Sequence, residues 1–340
     1  MSLYRRLAPE DIKINENPQE QFALDVLMGL SSKPKSLPPK YLYDAEGSRI
    51  FQEIMSLDEY YPTRCEKQIL EKGATHIAEK VFGSPLNIIE LGAGDGLKTK
   101  ILLNELIQSK FSHCYCPVDI SESAIDGLSK DLSSAYPALE CAGLVADYFD
   151  ALKWIRSQND RRNFVLFLGS NIGNFSAPQV RVFLKTLWNS LNDGDFVFIG
   201  FDLKKDIDTL LHAYNDSKGV THRFNLNLLE RMNRELGANF DLKKFQHFGT
   251  YNVQLGAMES FIISTNRQTV EVPYLNRSFK FKAYEPIHVE FSFKFLREDV
   301  ETLGVETGFT IESEYFDPDM YFMNVLFKVQ KGENLPTHDH

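Results

Sequence analysis

Three glycines at alternate positions, Gly92, Gly94 and Gly96 in NIIELGAGDGLKTK, follow an apolar run and precede a segment with helical spacing. Glycine lets a backbone turn tightly and lets a ligand approach it closely, so a strand, this turn and a helix make a seat for a nucleotide-like cofactor. The turn alone admits a sulfonium cofactor, a dinucleotide or no ligand at all. Two acids narrow the choice. Asp119 in PVDIS ends the second apolar run and could accept both hydroxyls of a ribose, while Asp147 in ADYF ends the third, where an acid beside Tyr148 could hold an adenine. Either acid could equally cap a helix. A dinucleotide turn reads GxGxxG, whereas these glycines are evenly spaced and Lys98 follows in the first helical turn, placed to pair with an amino-acid carboxylate of the cofactor. Glu90, just before the glycines, could reach the cofactor's amino group or cap local amides. At the end of a fourth run stands LGSNIGNF, with Gly169 and Asn174. The Asn174 amide could hold an amine or carboxylate near a transferred methyl, or cap the helix that follows. The acid-proline-proline-aromatic tetrad of nucleic-acid amino methyltransferases is absent here, which makes base methylation the weaker reading.

These groups need elements that bring them to one edge. Five apolar runs read as strands, at 86–92, 113–120, 139–147, 163–169 and 195–203, and all but the last are followed by helical periodicity. Right-handed crossovers would lay them out as a doubly wound parallel sheet, with the glycines and both acids at the carboxyl ends of its strands. Residues 1–85 read as helical and loop-rich, with FALDVLMGL as an amphipathic helix and KPKSLPPK as an extended stop. After Asp206 the pattern changes to a helix, THRFNLNLLERMNRELG, and antiparallel strands in YNVQLGAMESFIIST, QTVEVPYLN, SFKFKAYEP and HVEFSFKFLRE. The chain closes with a helix ended by Gly308 and two strands around Asp317, Pro318 and Asp319, which would return to the sheet edge. The expected organisation is a cofactor core at 86–206 and 295–330, an inserted substrate lobe at 207–294, and an N-terminal part of that lobe at 1–85, the two lobes sharing one site.

Composition supports a small-molecule enzyme. The 340 residues are 43% hydrophobic and 25% charged with a net charge of -10, which fits a globular protein with a core and disfavours a polyphosphate ligand. The cysteines, Cys65, Cys114, Cys116 and Cys141, have neither zinc nor redox spacing and read as reduced core thiols. His76, His113, His212, His222, His247 and His288 are dispersed and His338 and His340 sit in a polar tail, so no metal is expected. With no signal core and no run of about 18 apolar residues, a cytoplasmic protein without membrane or nucleic-acid partners is expected. Oligomeric state is left open, a monomer sufficing.

The motifs together resemble one family. KSLPPKYLYDAEGSRIFQEI, LDEYYPTR, ELGAGDGLKTK, LGSNIGNF, AYND and HVEFSFKF occur in the order of the histidine-specific methyltransferases, over roughly residues 20 to 330. The resemblance implies a class I fold binding S-adenosylmethionine, a Rossmann-like sheet with a second α+β lobe, and methylation of the α-amine of L-histidine on the way to ergothioneine. It implies that Asn174 holds the amine and carboxylate, that Tyr43 and Tyr214 help bind the carboxylate, that Tyr60 lies beside the ring, and that Glu290 with Ser292 grips the imidazole. Glu290 and Ser292, two apart on a strand, share a face, and a carboxylate beside a hydroxyl suits an imidazole nitrogen. The chain departs from the family where Ser260 follows Glu259 in place of a methionine that lines the pocket, which enlarges that wall. Relatives in the family methylate a prenylated tryptophan, so another amino acid is the alternative acceptor, and a cofactor-binding module without turnover is a second alternative.

Overall fold

The structure, a computed structural model, describes residues 4–6, 17–108, 111–156 and 161–332. Its elements in chain order are β1 (Tyr4–Arg6), α1 (Pro18–Ser31), β2 (Lys35–Ser36), α2 (Ala45–Met55), α3 (Tyr61–Val81), β3 (Leu86–Leu91), α4 (Leu97–Leu106), β4 (Cys114–Asp119), α5 (Glu122–Ala135), β5 (Glu140–Cys141) and β6 (Gly143–Val145). They continue with α6 (Tyr148–Arg156), β7 (Arg162–Phe167), α7 (Ala177–Ser190), β8 (Phe196–Asp202), α8 (Ile207–Tyr214), α9 (Val220–Leu236), β9 (Phe245–Asn252), β10 (Ala257–Ser264), β11 (Gln268–Val272), β12 (Arg277–Phe281), β13 (Glu285–Phe293), α10 (Arg297–Thr307), β14 (Phe309–Phe316) and β15 (Phe322–Val329). The chain forms two compact units, one of residues 1–12, 62–204 and 294–340 and one of residues 13–61 and 205–293.

The first unit carries one sheet in the order β1-β6-β4-β3-β7-β8-β15-β14, with β5 on β4. The strands from β1 to β8 run parallel, and β15 and β14 close the far edge antiparallel. Every residue of β3 and β8 is buried, as strands covered by helices on both faces must be, and this is why they read as predominantly apolar runs without alternation, Asn87, Glu90 and Asp202 being buried polar exceptions. β3 pairs with β4 on one side and β7 on the other, so the strand order reverses around it. That reversal opens a crevice at the carboxyl ends of β3, β4 and β7.

The second unit is built on the sheet β2-β13-β10-β9 with the hairpin β11-β12. Helices α1, α2 and α9 pack on it through a core of Phe22, Ile50, Phe224, Leu228, Ile262 and Ile287.

The structure departs from the sequence reading in four places. The run read as one strand at 139–147 is two short strands, β5 and β6, both parallel to β4. Tyr4–Arg6, expected in a helical region, is a strand parallel to β6. Helix α3 and the residues up to 85 fall with the sheet unit and not with the substrate lobe, because Leu70, Ala74, Ile77 and Val81 pack with Leu86, Ile88 and Leu102. YNVQLGAMESFIIST is a hairpin and not one strand, since the Asn252 side chain accepts from Gln254 N and Leu255 N and turns the chain between β9 and β10. His338 and His340 lie outside the described residues. Among the described residues no cluster of His, Cys, Asp or Glu could hold a metal, and no helix is long and apolar enough to cross a membrane.

Candidate functional site

In the sheet unit, Gly92, Gly94 and Gly96 all take the left-handed conformation, at φ +75°, +54° and +64°, which side chains with a Cβ disfavour. They serve different ends. A Cβ on Gly92 would stand 2.9 Å from both the Asn171 amide and the Tyr148 hydroxyl, whereas one on Gly94 would meet nothing within 4 Å. Asp119 sets this turn, accepting from Gly94 N at 3.1 Å and from Ser121 N at 2.9 Å. Burial raises its pKa against the pull of those amides. Asp147 accepts from Asp150 N at 3.0 Å, so it does cap α6, and burial with nearby Asp150 raises its pKa too. The Tyr148 ring meets Phe167 edge-on at 5.3 Å, and its buried hydroxyl is held well above its ordinary pKa. An adenosyl cofactor presents a ribose diol, an adenine and an amino-acid end. An open turn over Gly94, a carboxylate at each of the next two strand ends and a lysine in the first helical turn form a donor set that fits it.

Glu90, expected near the cofactor, is already engaged by its own unit. Its carboxylate lies inside the unit, where Thr99 Oγ1 and Tyr115 OH each donate to one oxygen, and burial pushes its pKa up to about 7. Sequence placed it near the glycines but not which way the strand's pleat would turn it.

Lys98 has a partner of its own. Its Nζ donates to Glu66 Oε2 at 2.5 Å, and the same oxygen accepts from Gly169 N at 2.8 Å. Asn324 Nδ2 on β15 donates to the other oxygen, Glu66 Oε1, at 2.9 Å. Glu66, on α3, escaped the sequence reading, because the partners that give it meaning are 32, 103 and 258 residues away. The loop after β7 is bent by Gly169 at φ +76° and Ser170 at φ +58°, and Ser170 Oγ accepts from Asp202 N at 3.1 Å. Asn174 ends the 3-10 turn Asn171–Asn174 and is half-buried. It does not cap α7; Ser176 does, in a capping box with Gln179.

In the second unit the tyrosines and the β13 pair come together. Tyr43 meets Phe51 at 5.5 Å and Phe224 at 5.4 Å; Phe51 meets Tyr60 at 6.2 Å, and Tyr60 meets Tyr214 at 6.4 Å. Tyr214 OH donates to Ser292 Oγ at 2.7 Å. Each tyrosine is positioned locally. Asp44 caps α2 through Gly47 N at 2.8 Å and accepts from Asn227 at 2.7 Å and from Arg234, which fixes the residue after Tyr43. Glu59 accepts from Ser217 N and Oγ at 3.1 and 2.7 Å, next to Tyr60.

The AYND motif divides its work among neighbours. Asn215 donates to Gly249 O at 3.0 Å and accepts from Gly249 N at 2.8 Å, and Asp216 accepts from Val220 N and Thr221 N at the start of α9. His247 Nε2 donates to Tyr214 O at 2.8 Å, and burial keeps that ring's pKa low, so it serves as a neutral donor. Asn215, His247 and Gly249 were not singled out in the sequence, although the family-like AYND already contained the first. Ser260 pairs with Gly249 on one side and Glu290 on the other, so the three lie in one row across β9, β10 and β13. Ser260 is 2% exposed and is the small residue next to Glu290 in that row, with Gly249 one strand further on.

A profile of histidine-specific, SAM-dependent methyltransferases matches residues 22–329. The histidine N-alpha-methyltransferase of Mycolicibacterium smegmatis is 36% identical over 303 residues, 89% of this chain and 93% of that protein. A protein of the same name from Mycobacterium tuberculosis is 38% identical over 271 residues, 80% of this chain and 83% of that protein. Ergothioneine biosynthesis protein 1 of Neurospora crassa is 32% identical over 307 residues, 89% of this chain and 34% of that protein.

Proposed function

The chain belongs to the histidine-specific, SAM-dependent methyltransferase family, and from that membership we propose that it methylates the α-amine of L-histidine, within ergothioneine biosynthesis. It is an S-adenosylmethionine-dependent N-methyltransferase. When bound, the cofactor supplies an electrophilic methyl group and a positive charge that disfavours the ammonium form of an adjacent amine. Asp119, Asp147 and Tyr148 would hold its adenosine, Lys98 its carboxylate, and Gly92 and Gly94 would admit it to the turn. The chain's own residues need supply no strong base. Asn174, on the loop started by Gly169, aims the substrate's amine lone pair, Tyr43 and Tyr214 bind the carboxylate, and Tyr60 lies beside the ring; catalysis is chiefly orientation. Tyrosine oxygens and ring faces tolerate the quaternary ammonium that builds up.

The observation that carries the choice of histidine is the β13 pair. Glu290 and Ser292 share a face, Ser292 is tied to Tyr214 at 2.7 Å, and the small residue Ser260 sits beside Glu290 on β10. A carboxylate with a hydroxyl matches the two nitrogens of an imidazole, whereas it would face an indole without an ionic partner. The sheet unit is then the cofactor domain and the second unit the substrate lobe. The free cysteines, three of them buried and Cys141 half-buried, support a reducing compartment, the cytoplasm.

The test is mass spectrometry of L-histidine, L-tryptophan and L-tyrosine incubated with the protein and S-adenosylmethionine. Histidine should gain one to three methyl groups, and Glu290→Ala should abolish the gain. Methylation of tryptophan in preference to histidine overturns this reading.

A further inference from the structure

We infer that Glu66 is a positioning residue: its buried carboxylate holds the Lys98 ammonium and the loop that begins at Gly169 in the one arrangement that receives the cofactor. The inference rests on the roles proposed above for Lys98 and Asn174. Glu66 is 0% exposed and reaches from α3 to three elements at once, the first turn of α4, the loop after β7, and β15.

Two glycines make room for it. A Cβ on Gly200 in β8 would stand 2.2 Å from Glu66 Oε1, and one on Gly169 would stand 3.3 Å from Lys98 Nζ. Gly200 sits opposite Asn324, the residue that donates to that same oxygen, so β8 and β15 together form a slot for one carboxylate.

Stability is a poor reason to keep such a group, since apolar residues of similar volume often replace a buried ion pair without loss. Geometry is a better one. Lysine has a long, flexible stem and three donors; one donor is committed to Glu66, which fixes where the ammonium stands and leaves the other donors for a ligand carboxylate. The oxygen that fixes Lys98 also fixes Gly169 N, so the lysine beside the glycine turn and the loop that ends at Asn174 are referred to one atom. Pre-set donors bind without the ordering cost that a free lysine and a free loop would incur.

The experiment is a double-variant cycle read by calorimetric titration of S-adenosylhomocysteine, with hydrogen exchange of residues 168–175 alongside. Glu66→Gln and Lys98→Met should each weaken binding at least tenfold, and the double variant should bind no worse than Lys98→Met alone. Exchange in 168–175 should quicken several-fold in Glu66→Gln and stay as in the unmodified protein in Lys98→Met. Binding by Glu66→Gln within twofold of the unmodified protein overturns the inference, and so does a double variant whose loss is the product of the single losses. Unchanged exchange in Glu66→Gln removes the loop from it. Should Glu66→Gln fail to fold, Glu66→Asp, which keeps the charge and draws it back by one methylene, goes through the same cycle with the same expectations. The titration needs no acceptor amine, so failure to methylate histidine would sink the functional reading and leave this result intact.

Discussion

A methyl group added at Gly249 would stand 3.0 Å from the Asn215 amide nitrogen and 3.1 Å from the Tyr214 carbonyl oxygen. Gly249→Ala must therefore move the Asn215 amide or the Tyr214 backbone by a few tenths of an ångström, and with it Tyr214, whose hydroxyl meets Ser292. The expected result is a KM for the amine substrate raised about tenfold, or about 1.4 kcal/mol of lost binding. Steady-state kinetics check it, and an unchanged KM would show that Tyr214 is placed by other contacts. Glu90 gives a prediction of opposite character. Burial lifts its folded pKa to about 7 from the ordinary 4.5, so between those values the folded state holds a proton that the unfolded state has released. Its contribution to stability is therefore greatest at low pH and falls as pH rises through the interval, by about 1.4 kcal/mol for each pH step of one across it. Glu90→Gln should gain stability relative to the unmodified protein from pH 5 to pH 7.5, measured as the difference between their urea midpoints. A constant difference across that range refutes the buried-acid account. At this scale the sequence pointed to candidates that sit in short motifs, such as Asp119, which the structure places at the glycine turn, and Tyr214, which it places against Ser292. It could not disclose Glu66 or Gly249, whose meaning comes from strands and helices far away in the chain.

Helix α9 begins where Asp216 gathers the amides of Val220 and Thr221 at 2.8 and 2.7 Å. Burial works against the ionised carboxylate, but the hydrogen bonds from Thr221 and Val220 prevail and its folded pKa lies below the ordinary 3.8. Its stabilisation is thus present above that value and is lost as pH falls through the folded pKa. Asp216→Ala should cost about 1–2 kcal/mol at pH 7, as the loss of a cap does, and thermal melts at pH 7 and pH 3 should show the gap narrowing in acid. The central parallel strands β3, β4, β7 and β8 were legible because both of their faces are buried, which leaves no alternation to confuse. The β9–β10 hairpin was not, since alternation runs on through VQLG and the turn depends on one asparagine side chain. Gly308 was legible as a helix stop, and it ends α10 at φ +95°.

At the scale of the molecule, the change of pattern after Asp206 announced an insertion, and the contacts put the break at residues 204 and 205. What the sequence could not show is that α3 belongs to the sheet unit, because its apolar spacing says that it packs but not on what. The residues proposed to hold the cofactor all stand in one unit and the β13 pair in the other. Glu290→Ala should therefore leave the affinity for S-adenosylhomocysteine within twofold while histidine turnover disappears; a joint loss in calorimetry would contradict that division of labour.

The points where the chain leaves and rejoins the sheet unit are fastened together. Leu203 bridges Phe295, Lys204 N donates to Phe295 O at 2.9 Å, and Phe295 N donates to Asp202 O at 3.0 Å. Beside them the Lys294–Asp202 ion pair, 0% and 1% exposed, closes at 2.8 Å. Breaking one side of such a pair is expensive, about 3–5 kcal/mol, so this neck resists drift. For an evolving gene, the clasp fixes where the stretch from 205 to 293 departs and returns, while residues 13–61 share its core and must vary with it. The loops of that stretch can lengthen while the strands behind the clasp keep their register.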